Sequence, residues 1–246
     1  MLNFQFEMLG IDELAKDVSS KLRMPLKEVY SAGTKLTDTQ QSKIEQTLDS
    51  MKDYPISIVD NLGTVTKIRD TIFSYCSENQ LAKKNRGLVV TFDHSLLVKA
   101  DDKEDEKSKI DSLFHTLVAL KKYLSSIGVR VIFIVLHQLN RNIESIERVT
   151  NSKLHYPNKT DLFAASSVYY SSDYVIIIHR PCLIEGLGDW YGPSRGGQPG
   201  LPVFNPSNQK QPMIYLHVIK DRFGSTGIIP MLDELEFSTI QEYKSS

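Results

Sequence analysis

Cysteine is scarce in this sequence. The 246 residues hold two, Cys76 and Cys182, far apart and without a C-x-x-C, which excludes a disulfide framework and suits a reducing compartment. Long apolar runs are missing as well. Nothing approaches the roughly 20 residues that span a bilayer, and Met1-Leu-Asn-Phe-Gln-Phe has neither the basic region nor the long apolar core of a signal peptide. The expected location is cytoplasmic, with no membrane partner. Nor is charge of one sign in excess: 29 Lys and Arg face 30 Asp and Glu, for a net charge of −1. With no global basic field, any nucleic-acid binding must come from a local patch or a ring of subunits. The six histidines are scattered without metal-ligand spacing, so packing or surface roles are expected of them. No internal repeat or clean linker divides the chain, which reads as one domain over 1–240 with a tail, 241–246.

What is present is ordinary globular material, 41% hydrophobic and 24% charged, at a length that allows a full core. The chain is organised around Gly87-Leu-Val-Val-Thr-Phe-Asp93-His94. A short, β-branched run of this kind reads as a strand buried on both faces. A carboxylate at its carboxyl end stands where open α/β sheets bind ligands, and where nucleotide-hydrolysing folds hold the magnesium of a triphosphate. Further strands are expected at 2–6, 55–59, 129–136 and 174–178. Helical spacing marks residues 11–22, 37–51 and 64–78, and most clearly Ile110, Leu113, Phe114, Leu117, Leu120 and Leu124. The mixed-charge run Lys99–Lys109 before that stripe reads as a solvated loop and first helical turn.

This alternation predicts βαβ crossovers and a mainly parallel sheet covered on both faces. Residues 140–159 are polar and read as irregular. Six of the ten prolines lie between Pro181 and Pro212, predicting a long loop. The runs 213–219 and 228–232, joined by a tight turn, predict a C-terminal antiparallel hairpin.

Several polar residues follow apolar strands: Glu7, Asp60, Asp93 and Gln138, with Lys220 and Arg222 after the seventh. In a parallel sheet those ends form one rim, so these groups are expected to be neighbours. There Asp93 would take a magnesium-bound water, and Glu7 would act as general base on the water attacking a γ-phosphate. Gln138 could sense that phosphate by hydrogen bonding. Lys220 and Arg222, alternating outward on one strand face, could neutralise phosphoryl charge in a neighbouring subunit.

The set and its order resemble the RecA-like motor domain of DnaB-type hexameric replicative DNA helicases, from residue 2 to about residue 235. Phe4-Gln-Phe-Glu7-Met8 is similar to that family's S-L-E-M strand, whose glutamate is the catalytic base. Leu88–Asp93 is similar to its Walker B strand, with His94 where tyrosine is usual. His137-Gln-Leu-Asn-Arg141 is similar to its S-Q-L-N-R sensor, and Lys220-Asp-Arg-Phe-Gly224 with Gly227 to K-x-R-N-G-x-x-G, whose Lys and Arg act in trans. The resemblance implies an α/β, RecA-like fold: a mainly parallel sheet flanked by helices, with the C-terminal hairpin. It implies ATP and Mg2+ as cofactors, a hexameric ring, single-stranded DNA in its pore, and DNA unwinding in replication. Arg141, Arg148, Lys153 and Lys159 of the 140–159 loop become candidates for pore contacts, together with Ser166.

Two departures qualify what the resemblance implies. The family's phosphate loop, G-x-x-x-x-G-K-[ST], should precede the Glu7 strand, and no such motif occurs anywhere in the sequence. Without its N–H groups and lysine a triphosphate loses its main cradle. The chain alone is expected to bind ATP poorly and not to be active unaided, with the N-terminal strand and loop missing or supplied by a partner. At Asp161-Leu-Phe-Ala-Ala-Ser166 the family pattern is D-L-R-E-S-G, a loop that grips DNA. Phe163 and Ala164 replace its arginine and glutamate, removing one phosphate contact. A second reading stays open: a non-catalytic RecA-like scaffold of a replication complex.

Overall fold

The computed structural model describes residues 1–31, 36–61, 63–99, 105–194 and 196–243. The first half of the chain forms β1 (Leu2–Gln5), α1 (Gly10–Leu22), α2 (Leu26–Val29), α3 (Asp38–Met51), β2 (Ser57–Val59), α4 (Val65–Glu78), β3 (Leu88–Asp93) and α5 (Glu106–Ser126). It continues with β4 (Val131–Val135), α6 (Ile146–Thr150), α7 (Ala165–Ser171), β5 (Tyr174–His179), β6 (Trp190–Tyr191), β7 (Leu201–Pro202) and β8 (Phe204–Asn205). Three strands close it: β9 (Asn208–Asp221), β10 (Gly227–Glu234) and β11 (Thr239–Glu242). Contacts divide the chain into two units, Met1–Leu14 with Leu48–Gln138 and Phe163–Ser171, and Ala15–Thr47 with Leu139–Leu162 and Ser172–Ser246.

The first unit is built on a wholly parallel sheet of order β2-β1-β3-β4. Its core is the face formed by Leu2, Phe4, Leu88, Val90, Phe92 and Val131, packed against Ile68 and Ile72 of α4 and Leu113, Leu117, Leu120 and Leu124 of α5. Phe4 and Phe92 stack across β1 and β3 with centroids 5.0 Å apart. The predicted stripe on α5 is the buried stripe. Asp105 caps this helix by accepting from Ser108 N at 2.7 Å, and Gly128, at φ 84, follows its C-cap. Residues 100–104 of the mixed-charge run lie outside the described residues.

One expectation fails at β4. Both faces of the sheet were predicted to be covered, yet Ile132 is 60% exposed, with Ile134 and Leu136 half exposed. Apolar side chains on both sides of a strand show what could be buried, not what is present to bury it.

The second unit carries an antiparallel sheet of order β11-β10-β9-β5, with β8 paired to β9. The predicted hairpin is β9–β10, longer than expected, and β5, a strand expected without a stated direction, runs antiparallel to β9. An apolar run does not encode its pairing direction. The Pro-rich 181–212 stretch is not a bare loop. It forms the β6–β7 hairpin, and Tyr191 is fully buried with Val203, Met213 and Tyr215. Residues 140–159, read as irregular, contain α6 and short 3-10 turns at Arg141–Glu144, Ser152–Leu154 and Lys159–Asp161. Pairing continues through Glu242 in β11, past the expected boundary at 240. Residues 244–246 lie outside the described residues.

Candidate functional site at the carboxyl rim of the parallel sheet

β1, β3 and β4 run side by side in one direction, so the residues that follow them reach one rim. Phe6 N donates to Asp93 O at 2.8 Å, and Leu136 N to Phe92 O at 3.0 Å, which carries the three strands in register to their ends. Glu7, Asp93 and Gln138 therefore share that edge, as the sequence predicts. Glu7 and Gln138 are both exposed to solvent, and Asp93 is half-buried. A cleft of about 710 Å³ lies elsewhere in the unit, lined by Ser57, Val59, Thr64, Lys67 and Asp70 among others; none of the candidate rim residues lines it.

Three further groups stand at this rim, inside the quoted motifs but given no role there by the sequence reading. Gln5 pairs in register with Asp93, and its Oε1 is buried without a hydrogen bond. His94 places Nε2 3.6 Å from Glu7 Oε2. His137 is clamped between chain segments: Ser95 Oγ lies 2.7 Å from Nδ1, and Phe163 O lies 2.6 Å from Nε2. With a carbonyl able only to accept, Nε2 carries the proton and Nδ1 accepts from Ser95. Burial pushes the His137 pKa below the usual imidazole value, in keeping with this neutral form. Phe163 N also donates to Gln138 O at 3.3 Å, tying the segment before α7 and the exposed Ser166 to the end of β4.

For magnesium and a triphosphate, this donor set fits one half of the pair. Asp93, Glu7 and the orphaned Gln5 Oε1 are hard oxygen groups of the type a hydrated Mg2+ favours. Phosphates require clustered N–H donors, and the glycine-rich pattern that supplies them is absent from the sequence.

Lys220 and Arg222 belong to the second unit, at the end of β9. Arg222 Nη1 pairs with Asp173 Oδ1 at 2.7 Å, its side chain about half exposed. Partial burial, then repulsion from Arg222, lowers the Lys220 pKa. Arg141, Lys153 and Lys159 are exposed on the 140–159 segment. Arg148, expected among these solvent-facing cations, is turned inward. Its guanidinium meets the buried Asp161 carboxylate, Tyr156 O at 2.9 Å and Leu154 O at 2.9 Å. A carboxylate that is 2% exposed requires such a partner.

The second unit also gathers three of the histidines expected to be scattered. Tyr191 Oη lies 2.6 Å from His179 Nδ1 and 2.8 Å from His217 Nε2, and Tyr191 stacks on His155. Burial brings the pKa of both His179 and His217 down to about 4. Gly192 next to this cluster has φ 84, and a Cβ there would sit 2.2 Å from the Tyr156 ring. No group of three or more His, Cys, Asp or Glu among the described residues could hold a metal ion. Among the described residues no helix is long and apolar enough to cross a membrane.

A parallel sheet of this order, helix-covered on its core face and accompanied by the antiparallel hairpin sheet, is a RecA-like α/β fold. The profile of the DnaB-like helicase C terminal domain matches residues 1–242, and the chain belongs to that family. In fold it is similar to a solved ATPase domain, at a TM-score of 0.74 and 16% identity, covering 99% of this chain and 75% of that one. It is also similar to a DnaB-like replicative helicase whose structure was solved for its interactions with primase. There the TM-score is 0.72 and the identity 15%, and the match covers 99% of this chain and 51% of that one. This chain thus spans about half the length of that helicase. Among curated proteins, none matches the sequence significantly.

Proposed function

We propose that this chain forms part of an ATP-driven DNA-unwinding motor that works in replication as a ring, its phosphate-binding loop lying outside these 246 residues. The observation that carries the reading is the convergence of Glu7, Asp93 and Gln138 on one rim in a member of this helicase family. Asp93, with Gln5 beside it, would hold a hydrated Mg2+, and Glu7 Oε2 would take the proton of the hydrolytic water. The bound nucleotide supplies the phosphoryl bond that is broken. Gln138, through its carbonyl bond to Phe163, links the rim to the segment bearing Ser166. Lys220 and Arg222 are proposed as cations acting on a neighbouring subunit's nucleotide. Arg141, Lys153, Lys159 and Ser166 are proposed to contact the backbone of single-stranded DNA. Arg148 supports that segment from inside.

The test is MgATP binding and hydrolysis by the chain alone and in its replication assembly. The expected result is millimolar or weaker binding alone, with turnover in the assembly that Glu7→Gln abolishes. Tight binding by the chain alone overturns the idea that the cradle is missing. An assembly whose turnover ignores Glu7→Gln removes the catalytic role. A second reading, a RecA-like scaffold without turnover, is favoured by Phe163 and Ala164 in the DNA-gripping segment. It predicts an assembly that binds DNA or replication proteins with no ATP dependence.

A further inference from the structure

The end of β9 and the start of β5 set two pairs of side chains against each other. Tyr174 stands in register with Asp221, so Asp173 comes opposite Arg222. Arg222 N donates to Asp173 O at 2.9 Å, and Arg222 Nη1 meets Asp173 Oδ1 at 2.7 Å. The next residue, Phe223, lies against Tyr174, with ring centroids 6.2 Å apart and planes at 50°. Asp221 fixes this turn, its Oδ1 accepting from Phe223 N at 2.9 Å. Gly224 leaves room for the carboxylate, since a Cβ there would sit 2.7 Å from Asp221 Oδ2. The ring held in this way is open to solvent: Phe223 is 74% exposed and Tyr174 54%. Leaving such apolar surface in water forgoes the stabilisation that burial brings. Where the K-x-R-N-G pattern has asparagine, this chain has Phe223.

We infer that Phe223, backed by Tyr174, stacks on the purine base of the nucleotide whose phosphates Lys220 and Arg222 meet, and so favours purine over pyrimidine nucleoside triphosphates. The inference rests on the role proposed above for those two cations. Chemistry selects this occupant. A nucleotide carries a flat π-face at one end and an anionic chain at the other. The end of β9 offers the complement, two exposed aromatic faces for the base and two cations on the same short segment for the phosphates. Arg222 turns to Asp173 and Phe223 to Tyr174, so the two side chains can reach different parts of one ligand. Arg222 then exchanges its carboxylate partner for a phosphate. The larger ring system of a purine covers more of Phe223 than a pyrimidine does, which sets the direction of the preference. A second copy of the chain is the poorer match, because the buried centre of a protein interface is depleted of charged residues and this patch has two cations beside its rings.

The experiment adds ATP, CTP or ribose triphosphate, each with Mg2+, to the full chain and reads saturation passed from protein to ligand protons by NMR, which detects weak contacts. Phe223→Leu removes the π-face and keeps apolar bulk, and Phe223→Trp restores a π-face. Both should unfold thermally like the parent, because the side chain is exposed. With the parent, the adenine ring protons should be saturated. ATP should bind about fivefold or more tightly than ribose triphosphate, the least that base–aromatic stacking contributes, with CTP between them. Phe223→Leu should bring ATP down to the level of ribose triphosphate, and Phe223→Trp should retain the difference. The inference is overturned if the adenine protons receive no saturation, or if Phe223→Leu leaves their signal unchanged. It also fails if oligodeoxythymidylate takes the Phe223-dependent contact and ATP does not displace it, which makes DNA the occupant. Self-association of the chain that Phe223→Leu abolishes without touching the adenine signal makes the occupant a second copy and sinks it equally. Triphosphate bound through Arg222 with no share from Phe223 removes the base site and leaves the role of the cations standing. An adenine contact that needs Phe223 but survives Arg222→Ala supports the aromatic site and removes the phosphoryl role of Arg222.

Discussion

Two buried polar clusters of the second unit allow predictions at the scale of single residues. Tyr191 shares its hydroxyl between His179 and His217, and both imidazoles have a pKa of about 4 against an ordinary 6.5. The folded state therefore resists protonation that the unfolded chain accepts. Stability from these groups is intact above pH 6.5, declines as the pH falls through the interval down to about 4, and changes no further below it. The full loss is on the order of 3 kcal/mol per histidine. Denaturant midpoints measured from pH 7.5 to 4 should trace this decline, and His217→Gln should flatten it; an unchanged slope would refute the assignment. Arg148 and Asp161 make the complementary case. Arg148→Ala leaves a buried carboxylate alone and should destabilise by about 3–5 kcal/mol. Arg148→Ala combined with Asp161→Asn should recover much of that loss in a double-mutant cycle. Neither cluster was legible in the sequence. Histidines at 155, 179 and 217 have no local spacing, and Arg148 looked like any loop cation until the fold placed Asp161 beneath it. Glu7, Asp93 and Gln138 could be located because each follows an apolar run, a local signal. Gln5, His94 and His137 stand at the same rim through contacts between strands, which no local pattern records.

At the scale of elements, periodicity read the helices well and the strands in part. The stripe on α5 became the buried face because a 3.6-residue repeat has one way to face a core. β4 is apolar on both sides, so its sequence promised two covered faces where one is covered. The direction of β5 was equally unreadable, because antiparallel and parallel strands of that length look alike. The difference between the two faces can be measured. Phe92 is fully buried and stacked on Phe4, so Phe92→Ala should cost about 3–5 kcal/mol. Ile134, half exposed, should tolerate Thr within about 0.5 kcal/mol. Chemical denaturation of the two variants compares them directly. A large cost at Ile134 would show that its face is already covered in solution.

At the scale of the whole molecule, the roles proposed for Glu7 and Arg222 raise the question whether the two groups of one subunit would serve one nucleotide or two. Arg222 is about half exposed and pairs with Asp173 at 2.7 Å, a surface pair worth under about 1 kcal/mol. Arg222→Ala should therefore unfold like the parent. If its guanidinium stabilises phosphoryl charge, loss of the side chain should lower turnover of the ATP-hydrolysing assembly by about 10³-fold or more. Glu7→Gln should lower turnover by about 10²–10⁴-fold through loss of the base. Mixing the two variants separates the arrangements. In a ring where each site takes Glu7 from one subunit and Arg222 from the next, a Glu7→Gln subunit still offers its arginine to a neighbour whose glutamate is intact. Random equimolar mixing then leaves about a quarter of the sites whole, and activity should rise far above either parent. In a subunit that uses its own arginine, no mixed site is whole. Turnover measured across mixing ratios, with subunit exchange verified by labelled protein, therefore decides between the two. A flat response with complete exchange would return Arg222 to the role its contact with Asp173 describes, a surface ion pair next to β5.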